Sequence, residues 1–272
     1  PCCLAEAGAR SGSPGTRRAH ETGTAVLFAP FSCKKKEEQQ DNGAYGKMQE
    51  RSIAIDGPAG AGKSTLARAL AQELGYLYVD TGAIYRTVAL RAREAGADPS
   101  DPAQVEPLLE GLDIRMDYGG DGVQRMYLSG RDVTEAIREN AVSALASKVA
   151  ALPAVREFLL DFQRRQARER DVVMDGRDIG TVVLPRAGVK IFLTAAPEAR
   201  AERRLLELRQ RGQEAEFDAV LSDILRRDEQ DRTRAVAPLR QAEDAVLLDT
   251  TELDRAGSLE ALLAIVREGL SR

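Results

Sequence analysis

One dense cluster of residues in this chain is suited to binding phosphate, namely Gly57-Pro58-Ala59-Gly60-Ala61-Gly62-Lys63-Ser64-Thr65. Its spacing is G-x-x-x-x-G-K-[ST], in which small residues allow backbone amides to point inward around an anion. The positive end of the helix expected to begin at Lys63 adds to the attraction. Lys63 supplies a flexible charge for the β- and γ-phosphates, and the Ser64 hydroxyl can ligate Mg²⁺. The motif predicts nucleoside triphosphate binding without saying which reaction follows.

Three further polar clusters follow predicted strands or end a predicted helix. They are Asp80-Thr81-Gly82-Ala83-Ile84-Tyr85-Arg86, Asp175-Gly176-Arg177-Asp178-Ile179-Gly180-Thr181 and the arginine-rich segment 226–238. Residues that follow the strands of an open α/β sheet face its ligand crevice. Arginine suits phosphate because its planar fork bonds two oxygens and keeps its charge. These clusters indicate a second site for a phosphorylated acceptor, as a small-molecule kinase requires.

Other classes of phosphate-loop protein fit the sequence less well. A GTPase switch needs a guanine-reading Asn-Lys-x-Asp segment, which the sequence lacks. A motor or transporter ATPase needs a longer chain and a coupled partner domain. A nucleotide-binding regulator that docks through residues 1–47 is a further alternative. It would bind ATP without releasing ADP in response to a nucleoside monophosphate.

Composition excludes several kinds of chemistry. The three cysteines and the one histidine all lie within the first 33 residues. The remaining chain therefore has no disulfide framework, no Cys/His zinc site and no histidine-dependent nucleophile. The net charge of −4 argues against bulk nucleic-acid binding, and no apolar run is long enough to cross a membrane.

The segment 1–47 differs from the rest of the chain. It is rich in Gly, Ser, Thr, Pro and Lys and has no apolar periodicity beyond the short patch 25–31. We expect it to be a disordered N-terminal extension, with Met48 as the natural start. It lacks the apolar core of a secretory signal, and its acidic residues argue against a transit peptide. A cytoplasmic location is expected.

From residue 51 onward, predicted strands alternate with predicted helices. The predicted strands are 51–56, 76–79, 112–117, 123–129, 171–174, 189–193 and 245–249, and the predicted helices are 63–74, 82–95, 101–109, 139–150, 154–168, 197–211, 217–229 and 258–268. This order indicates an α/β fold with a three-layered, mostly parallel sheet. The segment 112–148 is expected to be an insertion with its own small antiparallel sheet.

Four motifs in order resemble those of bacterial cytidylate kinases, from about residue 51 to residue 272. They are the phosphate loop, the segment 80–86, Asp-Gly-Arg-Asp-Ile-Gly-Thr-Val-Val at 175–183 and Asp-Arg-Thr-Arg-Ala-Val-Ala-Pro-Leu at 231–239. The resemblance implies the nucleoside monophosphate kinase fold, with an acceptor-binding insertion at about 81–170 and a mobile lid at about 212–238. It implies ATP-dependent phosphorylation of CMP and dCMP with Mg²⁺, a broader UMP/CMP kinase being the alternative. We expect a monomer.

The resemblance also implies roles for individual residues. Thr81, Ser147, Arg156 and Asp178 would line a cytosine pocket, Arg227 and Asp231 would meet the ribose, and Arg86, Arg177 and Arg234 would hold the acceptor phosphate. Lys63, Arg177, Arg227 and Arg234 are the expected catalytic residues, because phosphoryl transfer depends on alignment and on positive charge. A lid that carries the arginines at 227, 232 and 234 would complete the site on closure and exclude water.

Some candidates also allow a structural interpretation. Asp178 either contacts the substrate or caps a helix. Asp56 either binds Mg²⁺ through water or makes a structural hydrogen bond. Arg203 either contacts ATP phosphates or pairs with Glu207 on its own helix. Tyr85 either packs beneath the acceptor or fills the core. Arg164, Arg165 and Arg168 are expected on solvated faces.

Overall fold

The computed structural model describes residues 51–210 and 212–271, so the expectation for segment 1–47 lies outside the described residues. Its strands are β1 (Ile53–Asp56), β2 (Leu77–Asp80), β3 (Ile114–Tyr118), β4 (Gln124–Leu128), β5 (Arg131–Asp132), β6 (Val172–Gly176), β7 (Val189–Thr194) and β8 (Val246–Asp249). Its α-helices are α1 (Lys63–Leu74), α2 (Thr81–Glu94), α3 (Pro102–Val105), α4 (Asn140–Val149), α5 (Pro153–Glu169), α6 (Pro197–Gln210), α7 (Phe217–Thr233) and α8 (Arg255–Leu270).

The main sheet has five strands in the order β2-β6-β1-β7-β8, and every pairing is parallel. β1 lies at its centre, where Ile53 is in register with Val173 on one side and Val189 on the other. The fully buried, apolar sequence of β1 suits a strand covered on both faces. Because parallel strands end at the same edge, the segments after β1, β2 and β6 converge there. The predicted parallel sheet is confirmed.

Helices cover both faces of this sheet. Ile53 and Ile55 pack into one apolar cluster with residues of α1 and α8. Ala54, between them, belongs to a second cluster with residues of α2 and α5 on the opposite face. Successive side chains of a strand point to opposite faces, so this division is the signature of three layers. The α/β class with a three-layered sheet is therefore confirmed.

The insertion forms a separate antiparallel sheet in the order β3-β4-β5. Its main hairpin was predicted, but the short third strand was not, because two residues carry no usable periodicity. Gln124 of β4 fastens this sheet to the outer edge of β2, since its side chain accepts from the Asp80 amide at 2.8 Å and donates to the Asp80 carbonyl at 3.2 Å. The Tyr118 hydroxyl donates to the Tyr78 carbonyl at 2.7 Å. The insertion thereby satisfies backbone groups beside the acceptor motif.

Two local features differ from the predictions. β2 and β6 each continue past their predicted ends, so Asp80 and Asp175 lie within strands rather than after them. Residues Ile179–Val183 form a π-helical turn. Such turns are rare and leave no signature in apolar spacing, although they are frequent at functional sites. Among the residues that the structure describes, no helix is long and apolar enough to cross a membrane.

Candidate active site

A cleft of about 670 Å³ opens at the carboxyl edge of the main sheet. It brings together most of the predicted site residues, which come from segments far apart in the sequence. Those on its wall are residues 59–65 of the phosphate loop, Thr81, Arg86, Ser147, Arg177, Arg203, Arg227, Asp231 and Arg234. Arg156 and Asp178 do not form part of the wall but lie buried directly behind it.

The phosphate loop takes the conformation that its glycines allow. Gly57 has a φ of 153°, and a Cβ at this position would lie 1.9 Å from the carbonyl oxygen of Leu193. Gly60 and Gly62 also have positive φ, at 74° and 84°. No side chain caps α1 at Gly62, so the turn presents backbone at the start of the helix. The loop is built for the close approach of an anion to backbone amides.

Replacing Gly57 with alanine is expected to destabilise the fold by about 3 kcal/mol or more, because backbone strain and a steric clash act together. Gly75→Ala is the matched control, since Gly75 also has a positive φ, of 67°, but has open space where its Cβ would be. The control should cost only about 1–2 kcal/mol. Urea unfolding measures both values, and equal losses would contradict the steric explanation.

Lys63 is buried, with a side chain that reaches back over the phosphate loop. Its Nζ donates to the carbonyl oxygen of Pro58 at 2.7 Å. Burial and the nearby charge of Arg177 lower the pKa of Lys63 to about 7, against the opposing effect of Asp175. The ammonium therefore lies where a polyanion would strongly stabilise its charge.

Two oxygen groups that could ligate a metal ion, the Ser64 hydroxyl and the Asp175 carboxylate, lie beside Lys63. The Ser64 hydroxyl donates to Oδ2 of Asp175 at 2.8 Å, and the Tyr78 hydroxyl donates to Oδ1 at 3.0 Å. Burial and the charge of Asp80 raise the pKa of Asp175 to about 6. A hydroxyl and a carboxylate suit Mg²⁺, which takes few protein ligands when it also binds nucleotide phosphates. The described residues contain no group of three or more acidic, His or Cys side chains placed to hold a metal. The residues present fit a Mg²⁺ shared with a nucleotide.

Arginines from several segments face the cleft, and carboxylates hold some of them. Arg86 donates to Asp80 at 2.9 Å, and its Nε is buried without a hydrogen-bond partner among the described residues. Arg177 donates through Nε to Asp231 at 2.6 Å. Burial alone would raise the pKa of Asp231, but its arginine neighbours, Arg177 first, outweigh burial and hold the pKa below its usual value. Asp231 is therefore an ionised carboxylate that orients the cations.

Arg227 differs from the other arginines of the cleft. No hydrogen bond or ion pair with a described residue engages its guanidinium. Burial and the like charge of Arg177 lower the pKa of Arg227. Arg86 lies near enough to act in the same direction. A half-buried cation among cations is poorly stabilised until an anion arrives.

Arg156 and Asp178 form a buried ion pair through Nη2 and Oδ2. Arg156 also donates to the Ala150 carbonyl at 3.0 Å and lies 5.6 Å from the centre of the Tyr85 ring. The second oxygen of Asp178 has only a long contact, 3.5 Å, from Arg234. The Asp178 carboxylate can therefore still accept a hydrogen bond, and the pair offers this acceptor beside the N–H donors of Arg156.

The structure decides between several of the alternative interpretations. Both oxygens of Asp56 accept backbone amides, from Ile179 at 2.8 Å and from Gly180 at 2.7 Å, so its role is structural. Asp178 makes no capping bond to the π-helical turn. Tyr85 packs on the apolar core and also lines the cleft, so its packing beneath the acceptor stays a prediction.

Three arginines depart from the expectations. Arg203 reaches the Thr250 and Leu253 carbonyls on the cleft wall, and the ion pair with Glu207 is made by Arg204 instead. Arg232 is 58% exposed and does not reach the cleft, so the lid contributes two arginines to the cleft, Arg227 and Arg234, rather than three. Arg164 was expected on a solvated face but binds the Val182 and Val183 carbonyls at the end of the π-helical turn.

Sequence reasoning missed residues that hold the site together. Asp175 belongs to one of the predicted motifs but had no predicted role, although a carboxylate that ends a buried Val-Val-Met strand is a recognisable signal. Gln124 was also overlooked, because its partners are backbone groups distant in sequence. Asp80 was overlooked although its side chain bonds nearby groups, the Ala83 amide and Arg86. Arg200 is buried on α6, and nothing in its local sequence indicates that burial.

Comparison with known proteins gives a consistent result. The family model for cytidylate kinase matches residues 53–268. The cytidylate kinase of Carboxydothermus hydrogenoformans is 51% identical over 214 residues, which cover 79% of this chain and 96% of that protein. The cytidylate kinase of Geobacter sulfurreducens is 50% identical over 216 residues, with 79% and 92% covered. That of Caldicellulosiruptor bescii is 48% identical over 221 residues, with 81% and 96% covered. The matched range includes every strand of both sheets.

Proposed function

We propose that this chain, which belongs to the cytidylate kinase family, moves the γ-phosphoryl of ATP directly to CMP and dCMP. Membership of the family makes it a phosphotransferase that phosphorylates CMP. One observation carries the proposal. The phosphate loop and five of the predicted site arginines line a single cleft, and the ion pair Arg156–Asp178 lies buried behind its wall. Two nucleotides that meet head to head need this combination, because their phosphates repel each other until cations lie between them.

The donor site is the phosphate loop. Its backbone amides and the start of α1 would hold the β- and γ-phosphates of ATP, with Lys63 as the mobile charge. Arg203 lines the same cleft from α6, next to Thr250. Ser64 and Asp175 would hold Mg²⁺, which when bound draws charge from the phosphate oxygens. These residues align the donor and neutralise its charge.

The acceptor phosphate would be held by Arg86, Arg177 and Arg234. Arg177 and Arg234 are oriented by Asp231, which lies 2.6 Å from Arg177 and 3.8 Å from Arg234. Arg227, also on α7, would reach the transferred phosphoryl and the ribose. Because guanidinium groups stay charged at any working pH, they stabilise the equatorial oxygens without a protonation step.

The base would be read by Asp178 and Arg156. A cytosine amino group donates to the free oxygen of Asp178, while a guanidinium donates to the ring nitrogen and carbonyl. Uracil places a carbonyl where cytosine has the amino group, so Asp178 would face an acceptor and disfavour UMP. The half-buried Ser147 of α4 and the buried Thr81 complete the proposed pocket, the Thr81 hydroxyl donating to the Asp175 carbonyl at 2.7 Å.

The segment 212–238 is proposed as the lid and about 81–170 as the acceptor-binding insertion. Asn140 of α4 contacts Gln213 of the proposed lid at 3.4 Å and Arg204 of α6 at 3.2 Å, so the insertion touches both segments. Closure of this kind excludes water, which would otherwise hydrolyse ATP.

We further propose that the protein acts as a monomer in the cytoplasm. The phosphate loop and the acceptor arginines of a single chain meet at one cleft, which supports a site built within one copy. Nucleotides are cytoplasmic metabolites, which supports that location. Light scattering of the purified full chain tests the monomer, and a stable dimer at assay concentration would refute it.

A panel of acceptors tests the proposed activity. The full chain is incubated with ATP, Mg²⁺ and each of CMP, dCMP, UMP, AMP and GMP, and the diphosphate products are resolved. Formation of CDP and dCDP at the highest kcat/KM supports the proposal. Comparable use of UMP would indicate the broader UMP/CMP kinase, and a preference for AMP or GMP would refute the base assignment.

Asp178→Asn is expected to lower kcat/KM for CMP by about 10–100-fold, through loss of a charged hydrogen bond. UMP should lose less, because the new amide can donate to its carbonyl. The ratio of CMP to UMP activity therefore falls. Asp161→Asn is the control, since Asp161 pairs with Arg165 and Arg168 on the surface of α5. An unchanged ratio in the Asp178 variant would contradict the assigned contact.

A further inference from the structure

Arg200 connects three segments of the site without facing the cleft. It lies on α6 and is 2% exposed. Its Nε donates to the Ala195 carbonyl after β7 at 2.9 Å, and its Nη1 donates to the Ala59 carbonyl of the phosphate loop at 2.8 Å. Its Nη2 lies 2.7 Å from Oδ2 of Asp228 on α7. One side chain thus ties the phosphate loop to the helix that carries the lid arginines.

Packing around Gly60 reinforces this connection. A Cβ on Gly60 would lie 3.4 Å from the Cβ of Arg200 and 3.8 Å from Cδ1 of Ile224. Ile224 is on α7, one turn before Asp228, and both are buried. The turn of the phosphate loop therefore packs directly against α6 and α7, where little space separates the backbone from the two helices.

The Arg200–Asp228 pair is a poor source of stability. Asp228 is fully buried, and neither of its oxygens accepts a well-directed hydrogen bond from a described residue. Removal of two charges from water is costly when the remaining hydrogen bonds are incomplete. Apolar residues of similar volume are often as stabilising as such a pair. Its physical contribution is the fixed distance between α6, α7 and the phosphate loop.

Helix α7 presents different residues on two faces. Ile224 and Asp228, four residues apart, face α6 and the phosphate loop. Arg227 and Asp231, also four residues apart, lie on the neighbouring face and line the cleft, and Arg234, which also lines it, follows directly after the last residue of α7. A helix is rigid over two turns, so whatever fixes Asp228 also fixes Arg227 and Asp231. Asp231 in turn lies 3.8 Å from Arg234.

We infer that Arg200 is a positioning residue for phosphoryl transfer, which holds α7 against the phosphate loop so that Arg227 and Arg234 align with the donor phosphates. The inference rests on the proposed function. Without this link, α7 shifts relative to the loop, and displacement of about 1 Å costs on the order of 10²-fold in rate. The same shift opens the cleft to water, so ATP is hydrolysed without transfer.

The test uses variants of the full chain that leave no unpaired buried charge. Arg200→Met with Asp228→Leu replaces both charges with apolar side chains and so leaves no unpaired charge in the core. Arg200→Lys is a second variant, which keeps the charge beside Asp228 but cannot bond both carbonyl groups. Lys190→Met with Asp244→Leu is the matched control, because that pair also joins a buried cation to a carboxylate but lies outside the cleft wall.

Three quantities are measured for each variant: the melting temperature, kcat and KM per folded enzyme, and ATP hydrolysis without an acceptor. We expect kcat of the double variant to fall by about 10²-fold, with an intermediate value for Arg200→Lys. KM for CMP should change far less, and the share of ATP lost to hydrolysis should rise. The control should keep the kcat and the hydrolysis ratio of the original chain.

The inference is overturned if either folded Arg200 variant keeps a kcat within threefold of the original. It is equally overturned if the whole loss is explained by a smaller folded fraction, which is what a purely structural residue would give. If the double variant does not fold, the kinetics of Arg200→Lys alone decide between these outcomes. Failure of the proposed function looks different, because the original chain would then form no CDP.

Discussion

Lys63→Met is expected to lower kcat by about 10³-fold or more and to leave the protein folded. In the proposed mechanism Lys63 is the cation of the phosphate loop that would follow the phosphoryl as charge develops on it. Burial and Arg177 already disfavour its charge in the free protein, as its lowered pKa of about 7 shows. Methionine removes that unfavourable charge, so the loss should appear in catalysis and not in the melting temperature.

A second buried lysine provides the control. Lys190 resembles Lys63 in that its Nζ donates to a proline carbonyl, that of Pro185, at 2.6 Å. It also pairs with Asp244 and lies outside the cleft wall. Lys190→Met should lower the melting temperature and leave kcat within about threefold, since distant substitutions do not alter transition-state contacts. Steady-state kinetics and thermal unfolding of both variants test this prediction, and a Lys63 variant with near-original kcat contradicts the role.

Arg227→Met should reduce kcat by about 10³-fold, the scale of an arginine that stabilises a transferred phosphoryl group. Its guanidinium has no ion pair with a described residue and lies among other cations. Its removal therefore breaks no structural contact and relieves repulsion, so the variant should be at least as stable as the original. A substitution that raises stability while lowering kcat identifies a group kept for function.

The neighbouring Arg226 separates this effect from a general loss of positive charge. Arg226 is 58% exposed and pairs with Asp223 on the outer face of α7. Arg226→Met removes the same charge from the same helix and should leave kcat unchanged. Equal losses in both variants would mean that long-range charge, rather than contact with the phosphoryl, explains the result.

The sequence alone predicted the features that depend on local spacing. The phosphate loop was predicted because its glycine spacing requires a particular backbone conformation. The parallel sheet was predicted because strands such as Ile53–Asp56 are short and apolar. Most of the predicted site residues do meet at one cleft, since parallel strands end at a common edge. The insertion was predicted through the Gly-rich turn of its hairpin.

What the sequence left open depends on contacts between distant segments. Arg200 and Asp228 look like ordinary residues of charged helices, and only the approach of α6 to α7 buries them. Asp56 precedes the phosphate loop, where a metal role is equally reasonable, until the fold places two backbone amides against it. Arg164 was expected in solvent because the π-helical turn that it binds has no apolar periodicity.

The most direct test of the central claim follows the phosphoryl group itself. ATP labelled at the γ-phosphate is mixed with CMP, Mg²⁺ and the full chain, and the products are separated with time. Direct transfer in one cleft predicts label in the β-phosphate of CDP, with one CDP formed for each ADP. Label that appears as inorganic phosphate, or that remains covalently on the chain, would contradict the account.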